Sequence, residues 1–273
     1  MCCTSEITHQ TVRWIMMKLF GSFLQVYGTL VLNKRVRADP VKFIVDKWPE
    51  FRVFICKPQC LQVTGQITVK DYVYYIDTDI FTTDPAALKE IVENSSVIDW
   101  TKFILFMQLY LNSSVRQNSY YRFYYCVIET GCCSFLLFSI SSGISLGSLD
   151  ESHVDLVAQT WKFGKGGAAK NMIRNMVVNF PSCCVLDADG KPVSWILTYS
   201  RCEMGMLHTL PEHRLKGYAK VVTVTLARRL HAEGYPVYCF IEEGHEINIR
   251  VLKELGFTEV PSYRVTWFKF NDL

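Results

Sequence analysis

Between Glu203 and Leu230 the chain changes its hydrophobic period. Glu203–Leu210 alternates, which predicts a strand with Glu203, Gly205, Leu207 and Thr209 on one face. Pro211 ends it, because proline brings no amide proton to a sheet ladder. After a short loop, Ala219, Val222, Leu226 and Leu230 recur at three- and four-residue spacing, which predicts a helix. The same reading divides the rest of the second half. Val154, Leu156, Val157 and Trp161 give a helix an apolar face, and Ser148-Leu149-Asp150-Glu151 reads as its capping box, with Ser148 as the acceptor. Gly164-Lys165-Gly166-Gly167 is a link to a second helix over 168–180. Strands at 183–186 and 193–199 flank a hairpin turn at Asp187–Gly190. A strand at 236–241, a helix at 248–255 stopped by Gly256, and a last strand at 263–270 complete this half.

The first half reads as mixed. It has a helix at 9–24, strands at 25–31, 51–55 and 69–76, a helix from Asp84-Pro85 to about Asn94, and a helix at 100–111. The fold class is therefore α+β, with the division placed at 1–143 and 144–273. The first part shows no catalytic constellation.

The loop between the central strand and helix carries the clearest chemistry. Arg214-Leu215-Lys216-Gly217-Tyr218-Ala219 is basic, and its Gly217 and Ala219 sit where bulk would keep a ligand from the backbone. A helix start offers unpaired amide protons and a partial positive charge, a setting that suits a pyrophosphate. Arg214, Lys216 and Lys220 add charge at the same place. Gly164–Gly167 is no competing phosphate loop, since it lacks Gly-Lys-Ser/Thr and follows no strand.

Arg-x-x-Gly-x-Ala at 214–219, after a strand ending in Thr-Leu-Pro-Glu-His, resembles the coenzyme A loop of the GNAT superfamily of N-acyltransferases. Met206 to Arg214, Gly-Tyr-Pro-Val-Tyr at 234–238, Pro-Val-Ser-Trp at 192–195, Asn-Phe-Pro-Ser-Cys-Cys-Val at 179–185 and His153 to Gly164 resemble the glycine N-acyltransferase family more closely still. Val-Tyr-Gly at 26–28 and Asp-Lys-Trp-Pro-Glu-Phe at 46–51 extend the resemblance into the first half. Residues 112–143 depart from it, since the family would have a more polar connection there.

The resemblance implies a GNAT fold over 144–273, preceded by the family's N-terminal domain over 1–143. It implies that the strands at 203–210 and 236–241 splay apart, so that the backbone of Leu207, His208 and Thr209 pairs with pantetheine. Arg214, Leu215, Lys216, Gly217, Tyr218 and Ala219 would hold the pyrophosphate, although Leu215 stands where glycine is common. Asn248 matches the asparagine of the superfamily's second motif, as a ligand of the pantetheine arm or as a helix cap. Glu203 lies eleven positions before Arg214, the superfamily's spacing for its catalytic glutamate. An acceptor amine is mostly protonated at neutral pH, so a carboxylate within reach acts as general base. Burial beside Met204 and Met206 would raise its pKa toward the working range. The alternative for Glu203 is a strand residue facing solvent or paired with Arg201. Tyr238 is an acid toward the thiolate or a core residue. No Gly-x-Ser-x-Gly elbow or placed Cys–His pair supports an acyl-enzyme, so transfer is direct.

The expected activity is transfer of an acyl group from acyl-CoA to the amino group of glycine or a similar small amino acid. The alternatives are a CoA-binding paralogue with little turnover and a protein N-acetyltransferase. The expected partners are small-molecule substrates alone, the expected state is a monomer, and family resemblance implies a mitochondrial location, with the cytoplasm otherwise.

Composition narrows this further. The 273 residues are 49% hydrophobic and 20% charged, which suits a packed globular chain. A net charge of +3 lacks the dense basic stripe of a nucleic-acid binder, and Lys34-Arg35-Val36-Arg37 reads as a solvated turn. Eleven cysteines in no framework spacing indicate a reducing compartment and buried thiols. Cysteines and histidines show no metal-ligand spacing, so no metal is expected. The apolar run 123–140 contains Glu129 and Gly131 and reads as paired buried strands, so no membrane span is expected. Asn94 and Asn112 are glycosylation sites only in a secreted chain.

Overall fold

The computed structural model describes residues 24–36, 41–47, 50–58, 77–94, 104–109, 119–127 and 144–270. The expected helix at 9–24 lies outside them apart from its last residue, and so do the strand at 69–76 and the cysteine pairs at 2–3 and 132–133.

Among the described residues eleven strands form one sheet. In the first half they are β1 (Val41–Val45), β2 (Val53–Pro58), β3 (Asp77–Thr82), β4 (Ile104–Leu109) and β5 (Ser119–Val127). In the second they are β6 (Ser145–Gly147), β7 (Ser182–Leu186), β8 (Pro192–Thr198), β9 (Met204–Thr209), β10 (Tyr238–Glu242) and β11 (Thr258–Phe270). The helices are α1 (Leu24–Arg35), α2 (Pro85–Asn94), α3 (Val154–Thr160), α4 (Gly167–Asn179), α5 (Tyr218–Ala232) and α6 (Glu246–Glu254).

The spatial order is β1-β2-β3-β4-β11-β5-β10-β9-β8-β7-β6, and it contains a repeat. β1, β2 and β3 pair antiparallel in turn, and after α2 the chain returns as β4, parallel to β3. β7, β8 and β9 do the same, and after α5 the chain returns as β10, parallel to β9. The strand closing each half is then exchanged. β5 pairs with β10, β11 pairs with β4, and β5 and β11 pair with each other at the centre. Each half is thus completed by a strand of the other.

The larger core lies in the second half. β8 is buried at every position, which its run Val193-Ser194-Trp195-Ile196-Leu197 allows, and both α4 and α5 pack against it. Val222, Leu226, Ala227 and Leu230 of α5 pack there beside Ile173 and Met176 of α4. Smaller clusters lie under the first half, around Phe51 and Phe54, and around Ile44, Val53 and Ile55.

Two expected elements are corrected. Residues 25–31 belong to helix α1, not to a strand. Val26 and Leu30 pack with Phe51 and Phe54 in one cluster, while Val31 and Leu32 join the main core. A helix buried on opposite sides has no single apolar stripe, so its sequence shows no helical period. Of the expected helix at 100–111, the described residues Ile104–Leu109 are instead strand β4, flanked by β3 and β11. A short apolar run fits a doubly flanked strand as well as a buried helix, and periodicity does not separate them. The capping box also lies two residues later than expected. The Asp150 side chain accepts from the Ser152 amide and His153 completes the box, while the Ser148 hydroxyl donates to the Ser182 carbonyl.

Candidate active site

β9 and β10 are hydrogen-bonded neighbours at one residue pair, Met204 with Cys239. Beyond that point Gly205–Thr209 have β8 on one side and no paired strand on the other. A parallel pair joined only at its start leaves a wedge between the strands, where the resemblance implied that they splay apart.

β9 contains an irregularity that the alternating sequence hides. Leu197 lies opposite Gly205, but Trp195 lies opposite His208. Two residues of β8 therefore span three of β9, and the extra one accommodates Met206 at φ 52°. This is a β-bulge, and it reverses the facing of everything after it. Glu203 and Gly205 share a face, with Gly205 against the Tyr199 ring. His208, rather than Leu207 or Thr209, continues that face and stacks on the Trp195 ring with centroids 5.2 Å apart. The expectation of one common face for Glu203, Gly205, Leu207 and Thr209 is corrected accordingly. The Thr209 hydroxyl meets the Ser194 hydroxyl at 2.8 Å, and Ser194 Oγ also donates to the His208 carbonyl. Burial, with the Arg214 charge second, lowers the His208 pKa, so the ring is neutral at neutral pH.

Glu203 immediately precedes the point where the wedge closes. It is buried, 5% exposed, and it does not face solvent. Its two carboxylate oxygens accept from Nε and Nη2 of Arg201, each at 3.3 Å. The same guanidinium lies 3.6 Å from a carboxylate oxygen of Asp79, on β3 of the other half. All three side chains are buried. The backbone around them is held firmly. The Tyr238 hydroxyl donates to the Arg201 carbonyl, and Cys202 Sγ contacts the Gly28 carbonyl at 3.4 Å. Gly28 of α1 lies so close that a Cβ there would meet the Arg201 carbonyl oxygen at 1.9 Å. Tyr238 is thus fully buried and anchors this turn.

At the open end, a short 3₁₀ turn at Pro211–His213 leads to α5. No side chain caps α5, and its N-cap Gly217 has φ 80°, a left-handed conformation open to glycine. Leu215 also lies in the left-handed region at φ 61°, with its side chain fully exposed. Alternating hands in a short turn gather amide protons into a concavity suited to an anion. Lys216 is exposed beside them, and Arg214 Nε donates to the Thr209 carbonyl at 3.2 Å. Tyr218 is buried and stacks with His213. Ala219 is half-buried in the first turn of α5. Lys220 pairs with Glu254 of α6 at 2.6 Å, so its charge is partly spent there. Asn248 is exposed within α6, and the N-cap is His245, so Asn248 does not cap this helix.

Arg201 and Asp79 are the residues that sequence reasoning missed as parts of the site. Arg201 carried a signal, since it stands two positions from Glu203 in the sequence, and the turn before β9 brings the two side chains together. Asp79 carried none, because only the fold brings β3 to this turn. The thiols near the site are inert. Burial pushes Cys183 up to about 12 and Cys184 up to about 11, and it raises Cys56 and Cys202 as well. Among the described residues no group of three or more His, Cys, Asp or Glu is placed to hold a metal ion. Among them, too, no helix is long and apolar enough to cross a membrane.

The chain is similar to known proteins over most of its length. Residues 183–271 match the C-terminal region of the aralkyl acyl-CoA:amino acid N-acyltransferases, and residues 1–126 match the model of the same family's other region. Mouse glycine N-acyltransferase is 31% identical, the match covering 84% of each chain. Human glycine N-acyltransferase is 28% identical, over 93% of this chain and 92% of its own. A Drosophila protein solved by X-ray crystallography superposes with a TM-score of 0.71 at 16% identity, over 95% of this chain and 94% of its own. A GCN5-related N-acetyltransferase from Kribbella flavida does so at 0.53 and 12% identity, over 93% and 97%. These solved structures show the fold, which is that of the GNAT proteins. Both halves match one family, and so the chain belongs to the aralkyl acyl-CoA:amino acid N-acyltransferases.

Proposed function

We propose that the chain transfers an acyl group from acyl-CoA directly to the amino group of glycine or a similar small amino acid, with Glu203 as general base. The observation that carries this reading is the wedge between β9 and β10, with Glu203 at its closed end and the uncapped start of α5 at its open end. Pantetheine would lie along Leu207, His208 and Thr209, whose outer edge has no paired strand. The pyrophosphate would meet the amides and charges of Arg214–Ala219. The thioester carbonyl would then reach the bulge at Met206, where the backbone leaves the ladder with β8.

Glu203 takes one proton from the acceptor ammonium. The freed amine attacks the thioester carbon, a C–N bond forms, and the carbonyl electrons move onto oxygen. Collapse of this adduct breaks the C–S bond, and the departing thiolate gains the second nitrogen proton. The Arg201 guanidinium favours the ionised carboxylate, which is the form a base needs. Burial keeps Cys56, Cys183, Cys184 and Cys202 as neutral thiols, which supports direct transfer over an acyl-enzyme on any of these four.

The test is thiol release from benzoyl-, phenylacetyl- and long-chain acyl-CoA with glycine and glutamine as acceptors. Glu203→Gln should lower kcat about a hundredfold or more at unchanged KM for the donor. A rate close to the parent's would remove Glu203 from the role. Tight CoA binding by calorimetry without product would favour a binding paralogue, a reading that the ion pair on Glu203 makes specific.

A further inference from the structure

A general base hydrogen-bonded to a guanidinium presents a physical conflict. The cation holds the carboxylate in place, yet it also stabilises the charged form and makes it a poorer proton acceptor. Arg201 stands in this relation to Glu203, with both buried and both carboxylate oxygens engaged. The protein supplies a third group. Asp79, 4% exposed, faces the same guanidinium from β3, a strand of the other half. Among the described residues, these three buried side chains set two carboxylates against one cation in a place shielded from water.

From this geometry we propose that Arg201 and Asp79 are positioning residues for the transfer reaction, Arg201 orienting Glu203 and Asp79 sharing the guanidinium charge so that Glu203 keeps its basicity. The inference rests on Glu203 being the base. The first half thereby gains a chemical role, since its buried aspartate sets the strength of a base carried by the second half. The backbone contacts support a fixed arrangement rather than a chance pairing. Gly28 of α1 is pressed against the Arg201 carbonyl, Tyr238 of β10 donates to that carbonyl, and Cys202 meets Gly28. Among the described residues, the other ionisable groups facing the cluster are Cys56 on β2, next to Asp79 and Arg201, and Cys202, next to Glu203 and Arg35. Tyr27 of α1 lies beyond them, beside Arg35 and Cys202. Burial raises both thiols and the phenol, so all three are uncharged at neutral pH and leave the balance among the described residues to Glu203, Asp79, Arg201 and Arg35.

The test is the pH dependence of kcat/KM for Asp79→Asn in the full chain. In the parent, activity falls on the acid side as the base protonates. Without Asp79 the guanidinium is shared with one carboxylate fewer and acts more strongly on Glu203. The acid limb should move down by about one pH unit, with kcat on the alkaline plateau reduced and KM for acyl-CoA unchanged. A merely structural aspartate would lower thermal stability and leave the limb in place, and that result overturns the proposal. Asp79→Glu is the second arm, for use whether or not the asparagine variant folds. It keeps the charge and moves it by one methylene, so the limb should stay while kcat drops severalfold, as misplacement of a reacting group does. An unchanged kcat in Asp79→Glu also overturns the proposal. Glu203→Gln separates the two levels. If it abolishes the acid limb and Asp79→Asn does not shift it, Glu203 is the base and this inference alone fails. If Glu203→Gln keeps the parent's rate and limb, the reading beneath it fails.

Discussion

The two halves build the same turn and finish it differently. In each, the third strand of an antiparallel set runs into a helix, and the chain returns as a parallel neighbour. At the end of β3 the turn is Thr83-Asp84-Pro85. The Asp84 carboxylate accepts from the amides of Ala86 and Ala87 at 3.0 and 3.3 Å and pairs with Arg52 at 2.9 Å. At the end of β9 the turn runs to Gly217, no side chain caps α5, and Arg214 and Lys216 stand beside it. The first helix start holds its own anion, while the second is left for one from outside. The strands follow suit. β3 and β4 pair over three residues, whereas β9 and β10 pair over one. One backbone plan therefore serves as scaffold where a carboxylate closes it and as a candidate cradle where glycine leaves it open.

The strongest way to break this comparison is to move the carboxylate. Gly217→Asp would place an acid at the start of α5, as Asp84 stands at the start of α2. Aspartate tolerates a left-handed backbone better than most residues. It would also place like charge against a pyrophosphate, and such juxtaposition costs several kcal/mol. KM for acyl-CoA should rise at least about tenfold, which corresponds to about 1.4 kcal/mol. An unchanged KM would mean that the diphosphate does not sit at α5. The reciprocal change is smaller and of another kind. Asp84→Ala removes a helix cap and should cost about 1 kcal/mol of stability, read by urea unfolding, with KM for acyl-CoA unchanged. A severalfold change in that KM would show that the first half's turn takes part in donor binding.

Much of this comparison was legible in the sequence, because Pro211, Gly217 and the helical spacing of Val222, Leu226 and Leu230 act locally. So did Asp84-Pro85, where an N-cap and a first-turn proline stand side by side. The rest depends on pairing at long range. α1 gave a false strand signal because it is buried between two clusters. The bulge at Met206 left no trace, since a methionine at positive φ is chosen by the ladder with β8 and not by its own preference. That single residue sent Leu207 and Thr209 to the face opposite Glu203. The pairing of Arg201 with Glu203 was in reach as an alternative. Asp79 was not, because it joins them only through a sheet whose halves exchange their last strands.

Leu215 offers the smallest and sharpest test. Its φ of 61° is one that a non-glycine residue adopts at a cost of about 1–2 kcal/mol, and its fully exposed side chain gains no packing in return. Glycine at this position removes that cost but gives back about 0.5–1 kcal/mol through the greater freedom of its unfolded chain. Leu215→Gly should therefore raise stability by no more than about 1.5 kcal/mol, seen as a rise of a few degrees in Tm. The amides of the turn belong to the backbone, which keeps its course, so KM for acyl-CoA should stay within about twofold. A tenfold fall in KM would show that the leucine itself obstructs the cradle. The second half's turn would then stand part-way between the open and the self-filled state, and the contrast with the Asp84 turn would be one of degree.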